Sequence, residues 1–149
     1  MAVPPPLVFV VGWAAAWGLS RRLPFEIDGR GASGVQEVLG AVLVFVGLAL
    51  VAWAAATFVR ARTPIVPIRE ARVIVTDGPF RFSRNPMYVG LTGLYVGLAV
   101  LLNQAWPFVM LPAVLAVVLV FVIGREERYL RSVFRQQYEA YCRRVRRWL

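Results

Sequence analysis

The sequence contains no histidine, no lysine and a single cysteine, Cys142. Without histidine, the commonest metal ligand and the commonest general base at neutral pH are both missing. One cysteine excludes an intrachain disulfide and any cysteine-based metal cluster. All 17 basic residues are arginine and 8 residues are acidic, for a net charge of +9. Such a basic chain raises a nucleic-acid reading. Against it, the positive charge borders apolar runs and no nucleic-acid-binding motif is present. Charge is absent from the interiors of those runs. Ion pumps and proton-coupled exporters keep a carboxylate or similar group inside the membrane, so a transporter is disfavoured.

What the chain has in abundance is apolar residues: 59% are hydrophobic and the mean hydropathy is +0.63. Soluble domains average about 45–50%. The excess is gathered into runs at about 6–19, 38–59, 86–102 and 105–123. An apolar run of about 18 residues with few charges crosses a bilayer as a helix. The first run is short enough to be a signal-peptide core. Residues 1–6 carry no arginine, however, so it is read as a retained helix. The expected architecture is all-α: one domain over residues 1–149, a polytopic bundle of about four transmembrane helices, and a C-terminal amphipathic helix.

Arginine counts predict the orientation. Segment 60–84 carries six, the tail from 125 carries eight, and 20–34 carries three beside Glu26 and Asp28. Asn103-Gln104, between the last two runs, carries none. With four spans the two arginine-rich segments share a side, which the positive-inside rule makes cytoplasmic. Both termini then lie there, in an inner or cytoplasmic membrane. The short link at 103–104 predicts that the third and fourth helices are antiparallel neighbours. Gly90, Gly93 and Gly97 line one side of the third helix, where small residues permit close packing in lipid; contact with a cofactor is compatible with that.

Segment 60–85 is not a plain loop. Ile65, Val66, Ile68 and Val73-Ile74-Val75 are apolar, Thr76-Asp77-Gly78-Pro79 is a turn signal, and Phe80-Arg81-Phe82 alternates. The segment is expected to fold back onto the bundle or the membrane surface. The tail helix is expected over 125–148: Tyr129, Leu130, Val133, Phe134, Tyr138, Tyr141, Cys142, Val145 and Trp148 recur at three- and four-residue steps. Most of its arginines fall on the other side, and such a basic amphipathic helix suits lying on an anionic leaflet or capping the bundle.

Polar groups gather at the cytoplasmic helix ends. Asn85 before Pro86 reads as an N-cap followed by proline at the first helical position. Glu126-Glu127 follows the fourth apolar run within a turn. A tight hairpin would bring Asn85, Tyr88 and Glu126 around one polar ligand.

The run from Val75 through Gly78-Pro79-Phe80 and Arg84-Asn85-Pro86-Met87-Tyr88 to Gly90, followed by Glu126-Glu127 and then Phe134, Tyr138 and Tyr141, resembles the membrane methyltransferase superfamily. That group contains the isoprenylcysteine carboxyl methyltransferases and the phospholipid N-methyltransferases. The resemblance covers roughly residues 40–149, and the two motifs at this separation carry it together. It implies S-adenosylmethionine (SAM) as cofactor, S-adenosylhomocysteine as product, and a lipophilic acceptor drawn from the membrane lipids. Carried over by motif, the cofactor-binding positions are Arg72 (by spacing alone), Val73, Ile74, Val75, Phe80, Asn85, Pro86, Met87, Tyr88 and Glu126.

The sequence departs from the isoprenylcysteine pattern twice. The usual histidine of the His-Pro-x-Tyr motif is Asn85, as in the phosphatidylethanolamine enzymes. The substrate-carboxylate arginine one turn before the cofactor glutamate is Val122, which argues against a prenylcysteine carboxylate acceptor. Methyl transfer from a sulfonium is an in-line displacement that needs alignment and water exclusion, and neither metal nor side-chain nucleophile. An ammonium acceptor must lose a proton, and Glu127 is the candidate base, with pairing to arginine as its other role. The competing expectation is a non-catalytic membrane module that binds anionic lipid or a partner protein through its arginine-rich tail.

Overall fold

The computed structural model describes residues 4–29, 31–63 and 73–149. Its helices are α1 (Pro5–Arg22), α2 (Gly34–Arg60), α3 (Pro86–Leu101), α4 (Trp106–Val117) and α5 (Gly124–Arg144). A 3-10 turn spans Gly78–Arg81, and a π-helical turn, Val118–Ile123, joins α4 to α5 without a break. The fold is all-α. Among the described residues the extended pairing is limited to one isolated bridge, Glu26 to Gln104.

Local chemistry explains the helix starts. Ser33 caps α2, its hydroxyl accepting from the Gln36 amide at 3.2 Å. Helices α1, α3 and α4 carry proline in their first turn, where the missing N–H costs no hydrogen bond. Asn85 occupies the N-cap position of α3, but its side chain makes no cap bond, contrary to the sequence expectation. The reason is tertiary: its amide is drawn to another segment, described below.

Glycine decides the packing of α2 on α3. A Cβ on Gly47 would meet Gly90 O and Leu94 N at 2.7 Å, one on Gly97 would meet Val44 N at 2.7 Å, and one on Gly40 would meet Leu101 N at 2.6 Å. Backbone therefore lies against backbone, and the contact series runs antiparallel. The glycine face of α3 serves packing, with α2 as its partner. Helices α3 and α4 are joined by the expected tight turn, with Asn103 at φ 52°. Yet α3 packs chiefly on α2, and α4 chiefly on α1. Gly12 against Val114 marks the second contact.

The turn end of the bundle is stapled by side chains. Asn103 donates to Asp28 O at 2.8 Å and accepts from Asp28 N and Gln36 Nε2, each at 3.0 Å. Trp106 Nε1 donates to Leu23 O at 2.7 Å. At the opposite end lie the first residues of α1, α3 and α5.

Helices α2 and α4–α5 are long and apolar enough to cross a membrane, and α3 is a shorter apolar helix. Outward-facing α2 residues are large and apolar; Phe45 is 74% exposed and Val35 71%. Contiguous exposure of this kind suits hydrocarbon, not water.

The tail departs from the expected single helix over 125–148. It breaks at Arg135 (φ 41°, ψ −113°) and ends at Arg144. Val145 is extended, so the last five residues turn back as a strap. Tyr138, Tyr141 and Val145 bury against Ile74, Leu130 and Phe134. Of the two expected placements of the tail's apolar side, these residues take the one within the protein. Phe80-Arg81-Phe82 forms part of a 3-10 turn: Phe80 is buried while Phe82 is 68% exposed. Ile65, Val66, Ile68 and Arg72 lie outside the described residues.

Candidate functional site

A cavity of about 320 Å³ lies among the starts of α1, α3 and α5, under residues 73–80. Ligand pockets typically measure about 300–1,000 Å³. Every described position that the resemblance assigned to the cofactor lines it: Val73, Ile74, Val75, Phe80, Asn85, Pro86, Met87, Tyr88 and Glu126. Glu127 lines it as well. Of the sequence-predicted positions, Arg72 lies outside the described residues.

The two carboxylates sit side by side in sequence and in opposite circumstances. The Tyr88 hydroxyl lies 2.9 Å from each Glu126 oxygen and donates between them. Glu126 follows the apolar run that ends at Ile123, and no arginine is paired with it among the described residues. Burial pushes its carboxyl up to about 7, while the Tyr88 hydrogen bond pulls the other way. Such a group gains when a cation arrives to share its site.

Glu127 is buried and already engaged. Arg147 Nε donates to its Oε1 at 3.0 Å and Nη2 to its Oε2 at 2.8 Å, a two-point fork. Arg84 Nη1 adds a longer contact at 3.4 Å. A proton acceptor needs a lone pair turned toward the substrate, and both Glu127 oxygens accept from Arg147. Of the two roles open in the sequence, the arginine pairing is the one present in this geometry.

Several lining residues escaped the sequence reading. Pro4, Pro5 and Pro6 form one edge, from a stretch with no motif at all. Phe58, from the last turn of α2, meets Phe80 edge to face with centroids 5.1 Å apart. Tyr138 and Tyr141 belong to the second motif and also fit the helical spacing of the tail. Both line the cavity, and the Tyr141 hydroxyl donates to Phe80 O at 2.7 Å. This bond fixes the 3-10 turn over the site. Burial pushes the Tyr138 phenol up to about 12 and holds the Tyr141 phenol above its usual range, so both remain donors at neutral pH. Arg84 and Arg147 were counted among the charges serving topology and lipid. They are exceptions, tied to Glu127 at the cavity wall. Among the described residues no cluster of histidine, cysteine or acidic side chains is arranged to hold a metal ion.

The phospholipid methyltransferase family model matches residues 35–137, more than half of the chain. The chain belongs to the phospholipid methyltransferase family. It is a membrane methyltransferase by that membership, with lipid as the class of substrate the family indicates. No curated protein and no solved structure matched the chain.

Proposed function

We propose that the chain is a SAM-dependent methyltransferase that modifies a lipid or lipid-linked acceptor at the cytoplasmic face of an inner membrane. The observation carrying this reading is the cavity itself. Nine positions, drawn from three separated stretches of sequence, converge on one space around a carboxylate that has no cationic partner among the described residues. Its volume, aromatic walls and acceptor groups fit a nucleoside that bears a cationic side chain. In this reading Glu126, held by Tyr88, anchors the cationic cofactor. Val73–Val75 and Phe80 supply apolar walls. Pro86 and Met87 shape the helix start at the cavity.

When bound, SAM supplies an electrophilic methyl group. The protein's own work is then alignment and exclusion of water, which suits a mostly apolar lining. Asn85 cannot take a proton near pH 7. The four-span topology with both termini cytoplasmic is supported by Pro4–Pro6 sharing one cavity with Glu126, at the arginine-rich end. The acceptor's apolar tail reaches that cavity from the bilayer.

Calorimetry on the detergent-solubilised chain tests the cofactor. S-adenosylhomocysteine should bind, and Glu126→Ala and Tyr88→Ala should each weaken binding. Absence of binding, with both variants indistinguishable from wild type in every property, refutes the reading. Incubation with methyl-labelled SAM and membrane lipid extract, followed by mass spectrometry, identifies the acceptor.

A further inference from the structure

The C-terminal strap contacts the residues that precede α3. Arg84 N donates to Arg146 O at 2.9 Å, and Asn85 Nδ2 donates to Arg147 O at 2.9 Å. Ser83 Oγ lies 3.4 Å from Arg147 O and accepts from Asn85 N at 3.0 Å. The strap is thus laid along residues 83–85, immediately before α3. The Arg147 side chain then reaches back to Glu127, one residue past Glu126. One pair of charges therefore joins three segments that are distant in sequence: the start of α3, the start of α5 and the chain end.

The consequence for Asn85 is specific. A carbonyl can only accept, so Arg147 O must face the amide's NH2 end, and Oδ1 is turned away from the strap. Without the strap nothing among the described bonds fixes which end of the amide faces the cavity that Asn85 lines. We propose that Arg147 and Glu127 are positioning residues, a clamp that holds the strap in place and thereby sets the orientation of Asn85 at the ligand. The proposal rests on the cofactor reading above for the identity of the ligand, and on the geometry alone for the clamp. Neither Arg147 nor the strap falls within the family match at residues 35–137.

The full-length chain in detergent provides two independent measurements. Hydrogen exchange reads the clamp without any ligand. Arg147→Gln and Glu127→Gln should each accelerate exchange at the amides of Arg84 and Asn85 and leave the α2–α3 interface unchanged. Unchanged exchange at Arg84 and Asn85 overturns the clamp, whether or not the chain binds a cofactor. Calorimetry with S-adenosylhomocysteine reads the positioning. Each variant should weaken binding about ten-fold, the scale of a lost charge-assisted hydrogen bond. The double variant should lose no more than either single one, and Arg147→Lys should recover part of the loss. Wild-type affinity in the single variants overturns positioning, as do fully additive losses in the double. If Arg147→Gln does not fold, Glu127→Gln decides: it removes the charge of the pair, so wild-type exchange and affinity together refute the clamp. A wild-type chain that binds no S-adenosylhomocysteine sinks the cofactor reading, while the exchange data still judge the clamp.

Discussion

Tyr88→Phe removes one oxygen and isolates the electrostatics of the site. In the wild type the hydroxyl lies 2.9 Å from both Glu126 oxygens, and the carboxyl, raised by burial, titrates at about 7. The hydrogen bond favours the ionised form, so deleting it raises the carboxyl further. A hydrogen bond to a charged group contributes roughly 1.5–3 kcal/mol, and one pKa unit is about 1.4 kcal/mol, so the rise is about one to two units. At the lower figure the ionised fraction of Glu126 at pH 7 falls from about one half to about one tenth, and above pH 9 both proteins are almost fully ionised. If the ionised carboxylate anchors the α-ammonium that SAM and S-adenosylhomocysteine share, affinity for S-adenosylhomocysteine at pH 7 falls at least about five-fold in the variant and recovers as pH rises. Calorimetric titrations from pH 6 to 9 measure this as a shifted midpoint. A variant with an unshifted midpoint, or with an equal loss at every pH, would refute the reasoning, because the hydroxyl would then act by packing alone.

Three further expectations concern stability. Glu126 titrates above its ordinary value of 4.5 in the folded state, so its contribution to stability falls as pH rises from about 4.5 through about 7 and is level beyond. Glu126→Gln should therefore raise Tm at pH 8 while weakening ligand binding, and a lower Tm at that pH would contradict the burial argument. Gly47→Ala places a methyl against Gly90 O and Leu94 N and should cost about 1–3 kcal/mol, read as a lower Tm. Gly93→Ala meets its nearest atom at 3.8 Å and should be nearly neutral; equal losses in the two variants would mean that α2 and α3 are not in backbone contact. Asn103→Ala removes the staple at the turn end and should lower Tm without changing S-adenosylhomocysteine affinity, since that end lies away from the cavity. A parallel loss of affinity would show that the two ends of the bundle are coupled.

Much about this protein is determined by sequence alone. Apolar run length and the absence of charge inside the runs dictate a helical bundle in lipid, because unsatisfied backbone cannot sit in hydrocarbon. The resemblance to the membrane methyltransferases marks the positions at 73–75, 80, 85–88 and 126 that line the cavity, because each motif stretch is short and survives in one dimension. The resemblance assigns Glu126 to the cofactor and leaves Glu127 two roles, and the contacts that separate the two side chains appear only in three dimensions. The π-helical turn at Val118–Ile123 advances the residues after it relative to a regular α-helix, so no helical count assigns their faces. Glu126 is turned to Tyr88, and Glu127 to an arginine twenty residues ahead on a strap that exists because the helix ends at Arg144. Asn85 reads as a helix cap, and it is the carbonyl of Arg147 that takes its amide. Spacing records what a residue is and which near neighbours it has. Which of two adjacent carboxylates faces a tyrosine hydroxyl, and which takes an arginine from the strap, depends on contacts that only folding brings together.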